Sequence, residues 1–128
     1  MSFNLDYSDC ESPDLNKLSE ICHEANKKWW LDLETGLEKE RNFGELIALC
    51  HSELSEALEG HRKNLMDDKL PHRKMVDVEL ADLLIRVFDL CGGYNIDLEG
   101  AFWDKMKYNA IRADHKIENR KLEVGKKY

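Results

Sequence analysis

The sequence predicts an all-α fold, and three features of the 128-residue chain support this. Apolar residues recur every three to four positions along several segments, which is the period of a helix that buries one face. Only two prolines and seven glycines interrupt these segments. No segment alternates polar and apolar residues as a half-buried strand does. We therefore expect one domain over residues 1–128, a four-helix bundle with loose ends at 1–12 and about 114–128.

The first two helices are predicted from their N-terminal signals. Ser12 and Pro13 suit the N-cap and the first helical position of the first helix. Asn42 suits the N-cap of the second, and Glu45 would complete a capping box. The polar segment 31–41 between these helices is predicted to be a loop with at most one helical turn. These two helices are expected at about Asp14–Trp30 and Phe43–Lys63.

The last two helices follow the connection that ends at Pro71. Gly92 and Gly93 are typical of a helix C-terminus and are expected to end the third helix. Asp97 suits the N-cap of the fourth helix. The third and fourth helices are expected at about Arg73–Cys91 and Leu98–Ala113.

The third helix also bears on assembly, because it is apolar around most of its circumference. Val78, Ile85 and Phe88 lie on one stripe, and Leu80 and Leu83 lie on another. A helix of this kind must be covered on most sides. We therefore expect a homo-oligomer with this helix at or near the interface. A central helix in a monomeric bundle is the alternative.

Charge, cysteine use and hydropathy exclude several classes of protein. The formal net charge of −7 disfavours generic nucleic-acid binding. No apolar run approaches the roughly 18 residues that a membrane span requires. The four cysteines include no C-x-x-C pair, which is typical of reduced, buried thiols. Since the N-terminus does not resemble a signal peptide, we expect a cytoplasmic protein.

Two acidic pairs are the most informative feature of the chain. Glu53 and Glu56 interrupt the apolar pattern of the second helix, and Glu79 and Asp82 interrupt that of the third. Each pair has i, i+3 spacing, so both side chains project from one face. Helices joined by a short connection pack antiparallel, which can bring the four carboxylates together. Their mutual repulsion is relieved by a divalent cation, and an all-oxygen set suits Mg²⁺ or Mn²⁺.

Two other interpretations of the acidic pairs remain open. Each pair alone is also typical of a solvated helix face. A di-iron carboxylate bundle would need a Glu-x-x-His pair on each of two helices. The chain has this spacing only at Glu20 and His23, outside the second and third helices, so di-iron is disfavoured.

Three segments resemble the MazG-like all-α nucleoside triphosphate pyrophosphohydrolases. They are RNFGELIALCHSELSEALE at 41–59, VELADLLIR at 78–86 and KMKYNAIR at 105–112. The first two carry E-x-x-E and E-x-x-D, with 22 residues between Glu56 and Glu79, and the third carries K-x-x-x-N-x-x-R. The resemblance implies a dimer, or a tetramer of paired dimers. It also implies Mg²⁺-dependent hydrolysis between the α- and β-phosphates of a (deoxy)nucleoside triphosphate, as nucleotide-pool housekeeping.

Two alternatives to this activity are compatible with the same resemblance. A relative in the family cleaves phosphoribosyl-ATP. A chain with this fold could also be a non-catalytic helical module that binds nucleotides or proteins. The four acids favour the enzyme, because a pseudo-enzyme has no reason to retain carboxylates that repel one another.

Roles for individual residues complete the predictions. Glu53, Glu56, Glu79 and Asp82 would hold the metal and take part in catalysis, with Glu53 or Glu56 orienting water. Trp29 or, preferably, Trp30 would stack on the base. The remaining candidates for substrate binding are Arg62, Lys63, Arg86, Lys105, Asn109 and Arg112. Arg86 could instead pair with a carboxylate, and Lys105 and Asn109 are chosen because of the resemblance.

Overall fold

The computed structural model describes residues 14–112, and it confirms the all-α prediction. It contains no strand in this range, although Leu31–Glu38 and Met66–Lys74 form isolated β-bridges. The predictions for residues 1–13 and 113–128 lie outside the described residues. The helices are α1 (Leu15–Ala25), α2 (Phe43–Arg62), α3 (Met75–Gly93) and α4 (Leu98–Ile111), and a 3₁₀ turn spans Lys27–Trp30.

Helix α1 differs from its prediction at both ends. Its N-cap is Asp14, whose side chain accepts a hydrogen bond from the Lys17 amide at 2.7 Å, so the prediction of Ser12 was wrong. The helix ends at Ala25 because Asn26 bonds back to the Cys22 carbonyl through both its backbone and its side chain. The last predicted turn is therefore the 3₁₀ turn.

Helices α2 and α4 begin where the sequence predicts. Asn42 Oδ1 accepts from the Glu45 amide at 2.9 Å, and Asp97 Oδ1 accepts from the Gly100 amide at 2.9 Å. Each cap satisfies an amide that would otherwise lack a partner in the first turn. The segment 31–41 is a loop, as predicted, with Gly36 at a φ of 71°.

Helix α3 ends at Gly93, so the prediction that it stops at Gly92 and Gly93 is confirmed, although the helix includes both glycines and begins at Met75. The two glycines also permit close packing. A Cβ at Gly92 would lie 2.5 Å from the carbonyl oxygen of Ser19, and one at Gly93 would collide with the Trp30 ring. The left-handed residue that follows the helix is Asn95, with a φ of 54°.

Residues 14–96 form one compact unit with α3 at its centre, since both α1 and α2 pack against it. Helices α2 and α3 run antiparallel: Gly60 lies against Met75, and Leu46 lies in one buried cluster with Leu90. Residues 97–112, including α4, belong to a second unit.

The described helices leave much apolar surface exposed. On α3, Leu80 and Leu84 are 43% and 53% exposed, although this helix was expected to be covered on most sides. On α2, Leu54 and Leu58 are 46% and 60% exposed. Within residues 14–112, no helix is long and apolar enough to cross a membrane.

We predict that Gly92→Ala destabilises the protein. The added methyl group would press against the α1 backbone, which cannot rotate away as a side chain can. Overpacking of this kind costs about 1–3 kcal/mol. Urea denaturation should therefore show a lower free energy of unfolding. Ser52→Ala is the control, since the Ser52 hydroxyl bonds only within its own helix. Equal stability of the two variants would contradict the close α1–α3 contact.

Candidate metal centre and adjoining cavity

Three of the four predicted metal ligands meet between α2 and α3. One carboxylate oxygen from each of Glu53, Glu56 and Glu79 lies within 4.8 Å of the other two. Glu53 faces α3 because it shares its helix face with buried Cys50 and Ala57, and it is only 7% exposed. Glu56 is exposed. We call these three glutamates the carboxylate cluster.

The fourth predicted ligand, Asp82, does not belong to this set of three oxygens, but the charge of Glu53 acts on it. Burial raises the pKa of Asp82, and the Glu53 carboxylate raises it further. Asp82 is one turn beyond Glu79 on α3, and it faces the same cavity as Glu53.

Arg86 contacts the carboxylate cluster directly. Its Nε donates to Glu53 Oε1 at 2.8 Å. Burial acts to raise the pKa of Glu53, but hydrogen bonds with Glu79 and Arg86 outweigh it and hold this pKa below its usual value. The sequence left two roles open for Arg86, and the structure shows the carboxylate contact. Its contact with substrate stays a prediction.

Glu79 is the residue of the carboxylate cluster whose pKa is raised. Burial, followed by hydrogen bonds with Glu53 and Glu56, raises the pKa of Glu79 to about 8. Its Oε2 atom is buried and receives no hydrogen bond from any residue that the structure describes. A buried acidic oxygen without a donor is stabilised either by a proton or by a cation. At neutral pH the metal-free cluster therefore retains a proton on Glu79.

A cavity of about 720 Å³ adjoins the carboxylate cluster, a volume within the range of small-molecule sites. Glu53 belongs both to the cluster and to the cavity wall. The wall has five carboxylates and three cationic side chains, so a polyanion would need added positive charge to enter. The carboxylates belong to Glu40, Glu45, Glu53, Asp82 and Asp89, and the cations to Lys39, Arg41 and Arg86.

Three other predicted substrate residues of the first unit are paired or packed. Arg62 and Lys63 contact Glu59 at 3.5 and 2.6 Å, and neither lines the cavity. Trp30 donates from its indole to Asp89 at 2.9 Å and packs against its neighbours, so the structure does not place it on the wall of the large cavity. Substrate binding by these residues stays a prediction.

The remaining predicted substrate residues belong to the second unit. Lys105 and Asn109 lie on α4, and Arg112 is its C-cap. The ammonium of Lys105 lies 4.8 Å from the centre of the Tyr108 ring. Contact of Lys105, Asn109 and Arg112 with phosphate or sugar stays a prediction.

Sequence reasoning missed several residues of the cavity wall. Asp89 Oδ1 accepts a hydrogen bond from the Trp30 indole nitrogen at 2.9 Å. It also lies 3.0 Å from Nδ1 of His23. Its position three residues after Arg86 and seven after Asp82 is a periodic signal that could have revealed it. Asn26 and Asn42 also line the cavity, and the sequence does not predict this because one residue at a helix end gives no pattern.

No protein-family model, curated protein or solved structure matches the chain. The geometry of the carboxylate cluster and its cavity, together with the sequence motifs, therefore carries the functional conclusion.

We predict that stability of the metal-free protein changes with pH through Glu79. The pKa of Glu79 is about 8 in the folded protein, whereas an ordinary glutamate has a pKa of 4.5. Between these values the folded protein holds a proton that the unfolded chain has lost, so the free energy of unfolding falls as pH rises.

The measurement is urea denaturation in EDTA across this pH interval, comparing wild type with Glu79→Gln. The variant, which cannot ionise at this position, should lose stability less steeply. Glu59→Gln, at a carboxylate paired with Lys63, should follow wild type. Parallel curves for all three proteins would contradict the assignment of the retained proton to Glu79.

Proposed function

We propose that the protein hydrolyses a (deoxy)nucleoside triphosphate between its α- and β-phosphates, releasing the monophosphate and pyrophosphate in a Mg²⁺-dependent reaction. The observation that carries this proposal is the carboxylate cluster, which opens onto a cavity of ligand size. The E-x-x-E and E-x-x-D motifs, which resemble those of MazG-like pyrophosphohydrolases, support the same activity.

The geometry of the carboxylate cluster fits Mg²⁺. With bonds of about 2.1 Å, adjacent ligands of an octahedral Mg²⁺ lie about 3.0 Å apart and opposite ones about 4.2 Å. The three carboxylate oxygens lie within 4.8 Å of one another, so the side chains would draw together to hold one ion. The buried Oε2 atom of Glu79 also lacks a donor among the described residues, as expected of an oxygen that would coordinate a cation. Glu53, Glu56 and Glu79 would hold the ion, with Asp82 beside them.

Each side chain of the site then has a distinct task. Mg²⁺ bound there would neutralise phosphate charge and lower the pKa of the attacking water. Hydrogen bonds with Glu79 and Arg86 hold the pKa of Glu53 below its usual value, so Glu53 is ionised and can orient that water. Arg86 uses its Nε for Glu53, and its side chain is 41% exposed at the cavity wall, so its other guanidinium nitrogens can bond to phosphate oxygens.

The first test is pyrophosphate release from a panel of NTPs and dNTPs, with Mg²⁺ and with EDTA. The proposal requires metal-dependent formation of nucleoside monophosphate and pyrophosphate in equal amounts. Formation of nucleoside diphosphate and phosphate would place the cleavage at another bond and contradict it. A folded protein that binds metal and releases no pyrophosphate would instead favour the non-catalytic binding module.

Glu53→Gln should lower kcat by at least about 100-fold, because a general base or metal-positioning carboxylate contributes this much. Glu59→Gln is the matched control: the same change, six residues further along α2, at a carboxylate that pairs with Arg62 and Lys63. The control should retain wild-type turnover. Comparable activity of the two variants would remove Glu53 from the mechanism.

We also propose that the protein is a homo-oligomer, dimer or tetramer, that covers apolar surface on α2 and α3. The exposed leucines of both helices support this proposal, since large exposed apolar patches are rare on soluble monomers. Light scattering should give a mass of two or four times the 15.0 kDa chain mass. The double change Leu80→Glu and Leu84→Glu should lower this multiple, whereas Ser52→Glu should not. A wild-type monomer at micromolar concentration would contradict the proposal.

A further inference from the structure

The cavity beside the carboxylate cluster has a second end, formed where α2 begins. A helix rises 1.5 Å per residue, so Asn42 and Glu53 are about 16 Å apart along α2. Both residues line the cavity. Trp29 belongs to the Asn42 end, because Arg41 Nη1 donates to the carbonyl oxygen of Trp29 at 3.0 Å. The cavity therefore extends from Glu53 of the carboxylate cluster to Trp29.

Trp29 and Trp30 are adjacent in sequence but differ in their surroundings. The Trp30 indole bonds to Asp89, and its ring packs edge-on against His23 and Tyr94 at centroid distances of 4.9 and 5.7 Å. Gly93 leaves room for this ring, because a Cβ there would collide with it. Trp30 thereby anchors the 3₁₀ turn on α3.

Trp29, by contrast, is a residue of the cavity wall and is 54% exposed. Its backbone is fixed by Arg41 and by the anchored Trp30, and the Lys28 ammonium lies 5.0 Å from its ring centre. A large apolar ring that is held in position but left exposed is costly unless something covers it. Because it lines a cavity rather than a flat surface, a planar ligand is the occupant that fits best.

Two amides at this end can bond to the edge of such a ligand. Asn26 uses its Nδ2 to bond the Cys22 carbonyl at 2.8 Å, which leaves its Oδ1 as an acceptor. Asn42 uses its Oδ1 to accept from the Glu45 amide, which leaves its Nδ2 as a donor. Both residues line the cavity. An acceptor and a donor beside an aromatic ring are the groups that recognise a nucleobase.

We propose that the Trp29 end of the cavity is a nucleobase subsite, in which the Trp29 ring stacks on the base. The inference rests on the proposed nucleotide activity and assigns the base to Trp29 rather than to Trp30. The ribose and the phosphates would occupy the space between Trp29 and the carboxylate cluster. Stacking is tolerant of base identity, so selectivity would come from the two asparagines.

The test is calorimetric binding of ligands with and without a base. The four deoxynucleoside 5′-monophosphates and 2-deoxyribose 5-phosphate are titrated, with Mg²⁺, into the full chain and into Trp29→Ala. Stacking contributes about 1–3 kcal/mol per base, so Trp29→Ala should weaken nucleotide binding roughly 5- to 150-fold. Binding of 2-deoxyribose 5-phosphate should not change. Trp29→Phe should retain most of the nucleotide affinity.

Trp103→Ala is the matched control, because Trp103 is 51% exposed and lies on α4 in the other unit. It should bind nucleotides as wild type does. Equal weakening of nucleotide and sugar-phosphate binding by Trp29→Ala would overturn the inference, because it would indicate a structural role. Absence of nucleotide binding to wild type would also overturn it.

The outcomes also separate this inference from the proposed activity. If Trp29-dependent nucleotide binding occurs without pyrophosphate release, the subsite stands and the activity is wrong. If pyrophosphate is released and Trp29→Ala leaves the nucleotide affinity and KM unchanged, the activity stands and the subsite is wrong.

Discussion

The repulsion among Glu53, Glu56 and Glu79 is the constraint on which the rest of the site depends. Three carboxylates, each of which would be charged in water, converge between two packed helices. Two features of the metal-free protein relieve this repulsion: the Arg86 guanidinium bonded to Glu53, and the proton retained on Glu79. The Mg²⁺ that we propose to bind among the three glutamates would relieve this repulsion further.

The surrounding fold holds these groups in position. Helix α3 is central because it carries Glu79, Asp82 and Arg86 on the side that faces α2, while its glycines allow α1 to approach closely. Asp89 continues the same stripe and fixes the 3₁₀ turn through Trp30. One helix thus connects the carboxylate cluster to the Trp29 end of the cavity.

Much of this arrangement could be predicted from the sequence, where local chemistry determines structure. Asn42 and Asp97 mark helix starts because each side chain bonds an amide three residues later. The i, i+3 spacing of the acids predicted their shared face, and the short connection between α2 and α3 predicted their meeting. The close packing at Gly92 and Gly93 could not be predicted, because it involves Ser19 and Trp30, which are distant in sequence. The surroundings of the adjacent tryptophans depend on Asp89, 59 residues from Trp30, and on Arg41, 12 residues from Trp29.

The proposed Mg²⁺ site requires that the ion displace the proton retained on Glu79. Calorimetric titration of Mg²⁺ at pH 7, in buffers that differ in ionisation enthalpy, measures the protons released on binding. We expect about one proton per bound ion for wild type, because Glu79 is protonated below a pKa of about 8. Glu79→Gln should bind more weakly and release none. Absence of Mg²⁺ binding, or proton release that is unchanged in Glu79→Gln, would contradict this exchange and the metal site with it.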